Sequence, residues 1–163
     1  MSKYVLSVLV ENHAGVLSRV SGLFSRRGYN IDSLTVCETY NPAQSRMTIV
    51  VDGDEYILDQ IRKQLAKLVE VISIKHFHTA ESCRREMALI KVKASGTDRA
   101  VIIETCDIFR AHIVDVGQES VIVEATGSED KIDSLIRLLE PYGIIELAKT
   151  GLTAMQRGSE VMQ

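Results

Sequence analysis

Aromatic side chains are scarce: three Phe, five Tyr and no Trp make up 5% of the 163 residues. Single-stranded RNA is read by aromatics stacked on the central strands of a sheet, and the strand-like runs MTIVVD (47–52) and EMALIKVKA (86–94) carry none. Positive charge is not in excess either, with 19 Lys and Arg against 22 Asp and Glu and a net charge of -3. The doublets Arg26-Arg27 and Arg84-Arg85 are too short to form the basic patches that neutralise phosphates, so no nucleic-acid partner is expected. Long apolar runs are missing: none approaches the ~18–20 residues that span a bilayer, and the N-terminus lacks the basic region and apolar core of a signal peptide. A cytoplasmic protein without membrane association is the expectation.

The three cysteines, Cys37, Cys83 and Cys106, are odd in number and contain no CxxC pair. That excludes a disulfide framework and a thiolate metal site and predicts buried, reduced thiols. His76 and His78 fall on one face of a strand, which could begin a metal site, but no third ligand lies near and no metal is expected. GxSxG, GxxxxGK[ST] and GxGxxG are all absent. No catalytic residue, and no cofactor of the chain's own, is therefore expected.

What is present is a clear change of period. Tyr4, Leu6, Val8 and Val10 alternate as in a strand, then Val16, Leu17, Val20, Leu23 and Phe24 share one helix face, which Gly28 ends. Residues 31–39 and 46–51 flank the turn Tyr40-Asn41-Pro42-Ala43 and predict a hairpin. Asp52-Gly53-Asp54 opens a second helix carrying Ile57, Leu58, Ile61, Leu65 and Leu68, and residues 69–74 return to strand. Residues 76–86 (HFHTAESCRRE) are polar and predict a linker. The pattern then repeats: strand 86–94, a helix capped by Asp98, strands AHIVDVG and SVIVEAT, a helix opened by Ser128, Glu129 and Asp130, and strand IIELA before a polar tail. Two βαββαβ copies of about 75 residues each predict an α+β chain of two ferredoxin-like domains with antiparallel sheets, divided as 1–78 and 79–163. One face of each sheet is left without a cover from within the chain, which points to packing on another domain, another copy or a partner.

The turn at residues 12–17 is the candidate site. A helix N-terminus presents unpaired N–H groups and partial positive charge, which suit a carboxylate. Gly15 lets an anion approach the backbone, the Asn12 carbonyl could receive an ammonium group, and Val16 and Leu17 offer apolar surface. Those are the features of an aliphatic α-amino acid. An ordinary strand-to-helix turn, with Asn12 capping and Gly15 relieving crowding, accounts for the same residues.

LSVLVENHAGVLSRVSGLFSRRGYNIDSLTV resembles the opening of an ACT domain, specifically that of the small regulatory subunits of acetohydroxyacid synthase, also called acetolactate synthase. The likeness continues through SRMTIVVDGDE, QIRKQLAKLVEV, REMALIKVKA, IFRAHIVDV and ELAKTGLTAMQRG, essentially the whole chain. The resemblance implies a non-catalytic subunit that binds a large catalytic subunit, activates it and confers feedback inhibition by valine, with leucine or isoleucine as further effectors. Thiamine diphosphate, Mg2+ and FAD would belong to that partner, which joins two pyruvates, or pyruvate and 2-oxobutyrate, with loss of carbon dioxide in branched-chain amino acid biosynthesis. It further implies a homodimer through the ACT domains. The effector would sit between Asn12, His13, Ala14, Gly15, Val16 and Leu17 of one chain and Asn30 and Ile31 of the other. Many ACT domains have proline before the glycine; Ala14 stands here and makes the turn less rigid. The rival reading is a stand-alone ACT-type amino-acid sensor acting on another enzyme or on transcription.

Overall fold

The computed structural model describes residues 2–162; Met1 and Gln163, the outer ends of the two expected domains, lie outside the described residues. In the first unit, β1 (Ser2–Glu11) leads through a tight turn to α1 (Val16–Arg27). Then follow β2 (Ser33–Glu38), β3 (Gln44–Gly53), α2 (Glu55–Leu65) and β4 (Val71–Phe77). β1 pairs antiparallel with β3 along its whole length, from Ser2 opposite Gly53 to Glu11 opposite Gln44. β4 flanks β1 and β2 flanks β3, so the strand order is β2-β3-β1-β4. Alternation decides the faces: Leu6, Val8 and Val10, with Met47, Ile49 and Val51 across from them, bury against Val20, Phe24, Ile61 and Leu65 of the two helices.

The helix ends are chemically specified. Gly28 adopts φ +68°, and the Gly28 and Tyr29 N–H groups donate to the carbonyls of Ser25 (3.2 Å) and Phe24 (3.0 Å), which stops α1. Asp54 caps α2 by accepting from the Ile57 N–H at 2.8 Å.

The second unit repeats the plan with β5 (Ser82–Lys93), α3 (Asp98–Ile108), β6 (His112–Val116), β7 (Ser120–Gly127), α4 (Glu129–Leu139), a 3-10 turn at Glu140–Tyr142 and β8 (Ile144–Lys149), in the order β6-β7-β5-β8. Its core joins Ala88, Ile90, Val92, Val121 and Val123 of the sheet to Ile102, Ile132 and Leu135 of the helices. Ser128 caps α4 through the Lys131 N–H. Asp98 does not cap α3; it is the first helical residue, Thr97 precedes it, and neither side chain bonds the helix end. The α+β architecture of two antiparallel ferredoxin-like sheets is thus the one the sequence pattern predicts.

Three further expectations change. The polar run 76–86 is mostly strand: only residues 78–81 separate β4 from β5. Phe77 is buried, and Arg84 donates to the Phe77 carbonyl and Ser82 to that of His78, so the polar side chains are engaged and do not mark a free linker. Cys106 is buried but Cys37 is exposed and Cys83 half-buried. Burial and the neighbouring Asp107 push the Cys106 thiol up to about 11, so it is protonated at neutral pH.

The third change concerns the uncovered sheet face. By contacts, the chain divides at Arg84/Arg85, and residues from Gly151 onward belong with the first unit, not with the second that precedes them. Leu152, Ala154 and Met162 pack on Val5, Val50 and Phe77, the face of the first sheet opposite its helices. A short β9 (Thr153–Gln156) forms there, and the Arg157 N–H donates to the Glu81 carbonyl at 2.8 Å. Arg46 ties the segment down, donating to Ser7 Oγ and to the Ala154 carbonyl, each at 2.9 Å, with its guanidinium 5.7 Å from the Phe77 ring centre. The tail is the cover for this sheet.

Candidate functional site

The turn after β1 is set by its flanks. Glu11 N–H donates to the Glu70 carbonyl (2.9 Å) and Asn12 N–H to that of Ala43 (2.8 Å), so β1 releases the chain at a defined point. Gly15 then takes φ +91°, ψ -15°, and α1 begins at Val16. A β-carbon at Gly15 would meet nothing within 4 Å, so the space above this glycine is open. No side chain caps the helix. Val16 N–H reaches the His13 carbonyl only at 3.5 Å, and among the described residues the N–H groups of Gly15, Leu17 and Ser18 have no acceptor. The capping alternative for Asn12 therefore does not describe this turn.

Asn12 is a positioning residue. Its Nδ2 donates to the Pro42 carbonyl (2.8 Å) and Glu38 Oε2 (3.3 Å), and its Oδ1 accepts from Ser45 Oγ (2.9 Å). One lone pair of Oδ1 is thus occupied and one is left for a donor. Ser45 and Glu38 were not foreseeable from a local motif; only the β1–β3 and β2–β3 registers bring them to Asn12.

His13 is exposed and bridges the Ala14 carbonyl and Glu11 Oε2, both at 3.1 Å. Those two bonds, the carbonyl first, hold its imidazole above the usual 6.5. Beneath it Glu70, 6% exposed, is paired with Arg19 of α1. Val16 turns its side chain into the core while Leu17 stays 44% exposed, so at this turn the apolar surface comes from Leu17 and the exposed Ala14.

Asn30 and Ile31 lie elsewhere. They follow the C-terminal end of α1, with Asn30 exposed and donating to Asp32 Oδ1 (2.9 Å) and Ile31 partly buried against the core. Twelve helical residues separate Gly15 from Gly28, a rise of about 18 Å. Within one chain, the two halves of the expected site cannot touch one small ligand.

His76 and His78 have ring centres 4.5 Å apart, and among the described residues no group of three or more His, Cys, Asp or Glu side chains is placed to hold a metal.

A βαββαβ unit with both helices on one face and open N–H groups at its first strand-to-helix turn has the form of an ACT domain, and residues 6–73 match the family model of the AHAS small subunit-like ACT domain. Residues 85–158 match that of the small subunit of acetolactate synthase. The chain is 53% identical to the acetolactate synthase small subunit of Mycolicibacterium smegmatis, over 95% of this chain and 91% of that one. It is 44% identical to the acetolactate synthase isozyme 3 small subunit of Salmonella typhimurium, over 98% of both. The crystal structure of the acetolactate synthase small subunit from Thermotoga maritima superposes with a TM-score of 0.92 at 41% identity, covering 98% of this chain and 100% of that one. The chain belongs to the acetolactate synthase small-subunit family.

Proposed function

We propose that this chain is the regulatory, non-catalytic subunit of an acetolactate synthase: it binds the large catalytic subunit, raises its turnover and makes it sensitive to valine. Thiamine diphosphate, Mg2+ and FAD reside in that partner, and the complex works in the cytoplasm. The observation that carries the effector site is the separation of its two halves by the length of α1. The turn offers N–H donors to a carboxylate, and Asn30 offers an amide, at opposite ends of a helix; two copies of the ACT domain side by side bring one end of each together. Valine then binds in a homodimer, between residues 12–17 of one chain and Asn30 and Ile31 of its partner.

Inhibition follows from that geometry. A ligand shifts a conformational equilibrium only by its difference in affinity between the states. A pocket shared by two chains exists only when their relative placement is right, and a difference of about 1.4 kcal/mol suffices for a tenfold shift.

The test is to assay the purified chain, its cognate large subunit, and the mixture, each with and without valine. The expected result is no acetolactate formation by the small chain, stimulation on mixing, and valine inhibition only in the mixture. Synthase activity in the small chain alone, or no change on mixing, would overturn the assignment.

A further inference from the structure

A cavity of about 380 Å³ opens in the first unit where the start of β1, α2 and the end of β4 meet. Its lining is rich in cations: Lys3, Arg62 and Arg84, joined by His76 and His78. Two carboxylates also line it, Glu55 and Asp59, but Asp59 is engaged by Lys63 at 2.6 Å. Arg84 donates to Ser82 Oγ and to the Phe77 carbonyl. Arg62 is exposed and makes no side-chain hydrogen bond or ion pair among the described residues. Tyr4 and the two histidines form an aromatic wall, with ring centres 5.5 Å (Tyr4–His76) and 4.5 Å (His76–His78) apart.

The groups around His76 repel one another. Burial first, then His78, Arg62 and Arg84, hold its imidazole below the usual 6.5. Like charges gathered around one cavity are stabilised by an anion that binds among them.

We propose that this cavity binds a phosphate group, free or as a small monoester. Arg62 supplies a forked donor that fits phosphate oxygens, and Arg84 and Lys3 line the cavity as further cations. The volume exceeds that of a bare ion and leaves room for a short organic substituent beside Tyr4. The site is separate from the effector turn: Lys3 and Asn12 lie at opposite ends of β1, about 30 Å apart along the strand. Binding is linked to protons. A bound dianion favours the imidazolium form of His76, so His76 takes up a proton on binding, and affinity rises as pH falls through the histidine range. Glu55 and Asp59, which also line the cavity, oppose the anion.

Sulfate, which stays doubly charged throughout, isolates the histidine effect from the ionisation of phosphate itself. The experiment follows the His76 and His78 ring signals by NMR in the full chain during titration with sulfate, inorganic phosphate and glycerol 3-phosphate, at constant ionic strength. Saturable shifts are expected, with sulfate affinity about fivefold higher near pH 5.5 than near pH 7.5. Arg62→Gln, at an exposed helix position, should weaken binding about tenfold or more and leave the fold intact, and His76→Gln should remove most of the pH dependence. Tighter binding of glycerol 3-phosphate than of phosphate identifies a monoester as the occupant, and the reverse identifies the free ion. Shifts that rise linearly without saturation, or affinities unchanged in Arg62→Gln, overturn the proposal.

Discussion

Gly15 holds a left-handed conformation with empty space above it, and both facts matter for what a substitution there does. An aspartate at this position accepts the positive φ at a cost of about 1 kcal/mol, since Asp visits that region more readily than most residues. Its carboxylate then occupies the place proposed for the effector's own. Gly15→Asp should leave folding and activation of the large subunit intact and weaken valine binding by about ten- to a hundredfold, the cost of one charge-assisted hydrogen bond. Asn30→Ala should act in the same direction from across the proposed dimer. Calorimetric titration with valine checks both, and unchanged affinity in a folded, dimeric Gly15→Asp would exclude the turn as the site. His13 gives a pH signature at the same place. Its raised pKa means that the charged form is favoured in the folded chain, so the small contribution to stability is complete below 6.5 and is lost as pH rises through the raised value. An NMR titration should place His13 above 6.5. Glu11→Gln should lower it only in part, because the Ala14 carbonyl bond remains.

The C-terminal segment shows how an element with little intrinsic propensity is held by its surroundings. Residues 151–162 contain one four-residue strand, too short to persist alone. They are fixed instead by the Leu152 N–H bond to Ser33 Oγ (3.0 Å), the clamp of Arg46 on Ala154, and the pairing of Glu160 with Lys75 (2.9 Å). The approach to β2 is close enough to require glycine: a β-carbon at Gly151 would lie 2.5 Å from Thr35 Oγ1, 2.6 Å from Ser33 Oγ and 3.1 Å from the Leu34 carbonyl. Rotating Ser33 away breaks its bond to Leu152, and the backbone carbonyl cannot move aside. Gly151→Ala should therefore destabilise the chain by about 1–3 kcal/mol and make the segment accessible to protease. Urea unfolding combined with limited proteolysis measures both effects. A wild-type midpoint would mean that the segment rests only loosely on the sheet.

At the scale of the molecule, the return of the tail to the first unit alters what a natural-looking truncation does. A chain ended at Arg84 retains both halves of the proposed effector site but loses Leu152, Ala154 and Met162, exposing Val5, Val50 and Phe77. Each large apolar side chain returned to water costs up to ~1.5–3 kcal/mol, so the shortened chain should lose several kcal/mol and bind a hydrophobic dye. Where it still folds, it should dimerise and bind valine. Denaturation midpoints and dye fluorescence of the two lengths provide the check, and equal values would show that the tail covers nothing of consequence.

Much of the architecture could be read without coordinates because its causes are local. The alternation of Leu6, Val8 and Val10, the helical spacing of Ile57, Ile61 and Leu65, and the caps at Gly28, Asp54 and Ser128 each act within a few residues, so each is written in the order of the chain. The turn at Gly15 belongs to the same class, since a left-handed residue between a strand and a helix calls for glycine whatever surrounds it. Other features depend on partners remote in sequence. His76 and Phe77 read as linker because the strand they belong to is made by pairing with Leu6 and Val5, far away in sequence. The tail reads only as a polar end because the sheet that orders it is formed more than a hundred residues earlier. The Asn12–Ser45–Glu38 cluster exists only through strand register. The sequence by itself determined the periods, the stops and the chemistry available at each turn. Only the tertiary structure decided which sheet face the tail covers and which donors at the turn remain unpaired, because these depend on where distant segments meet.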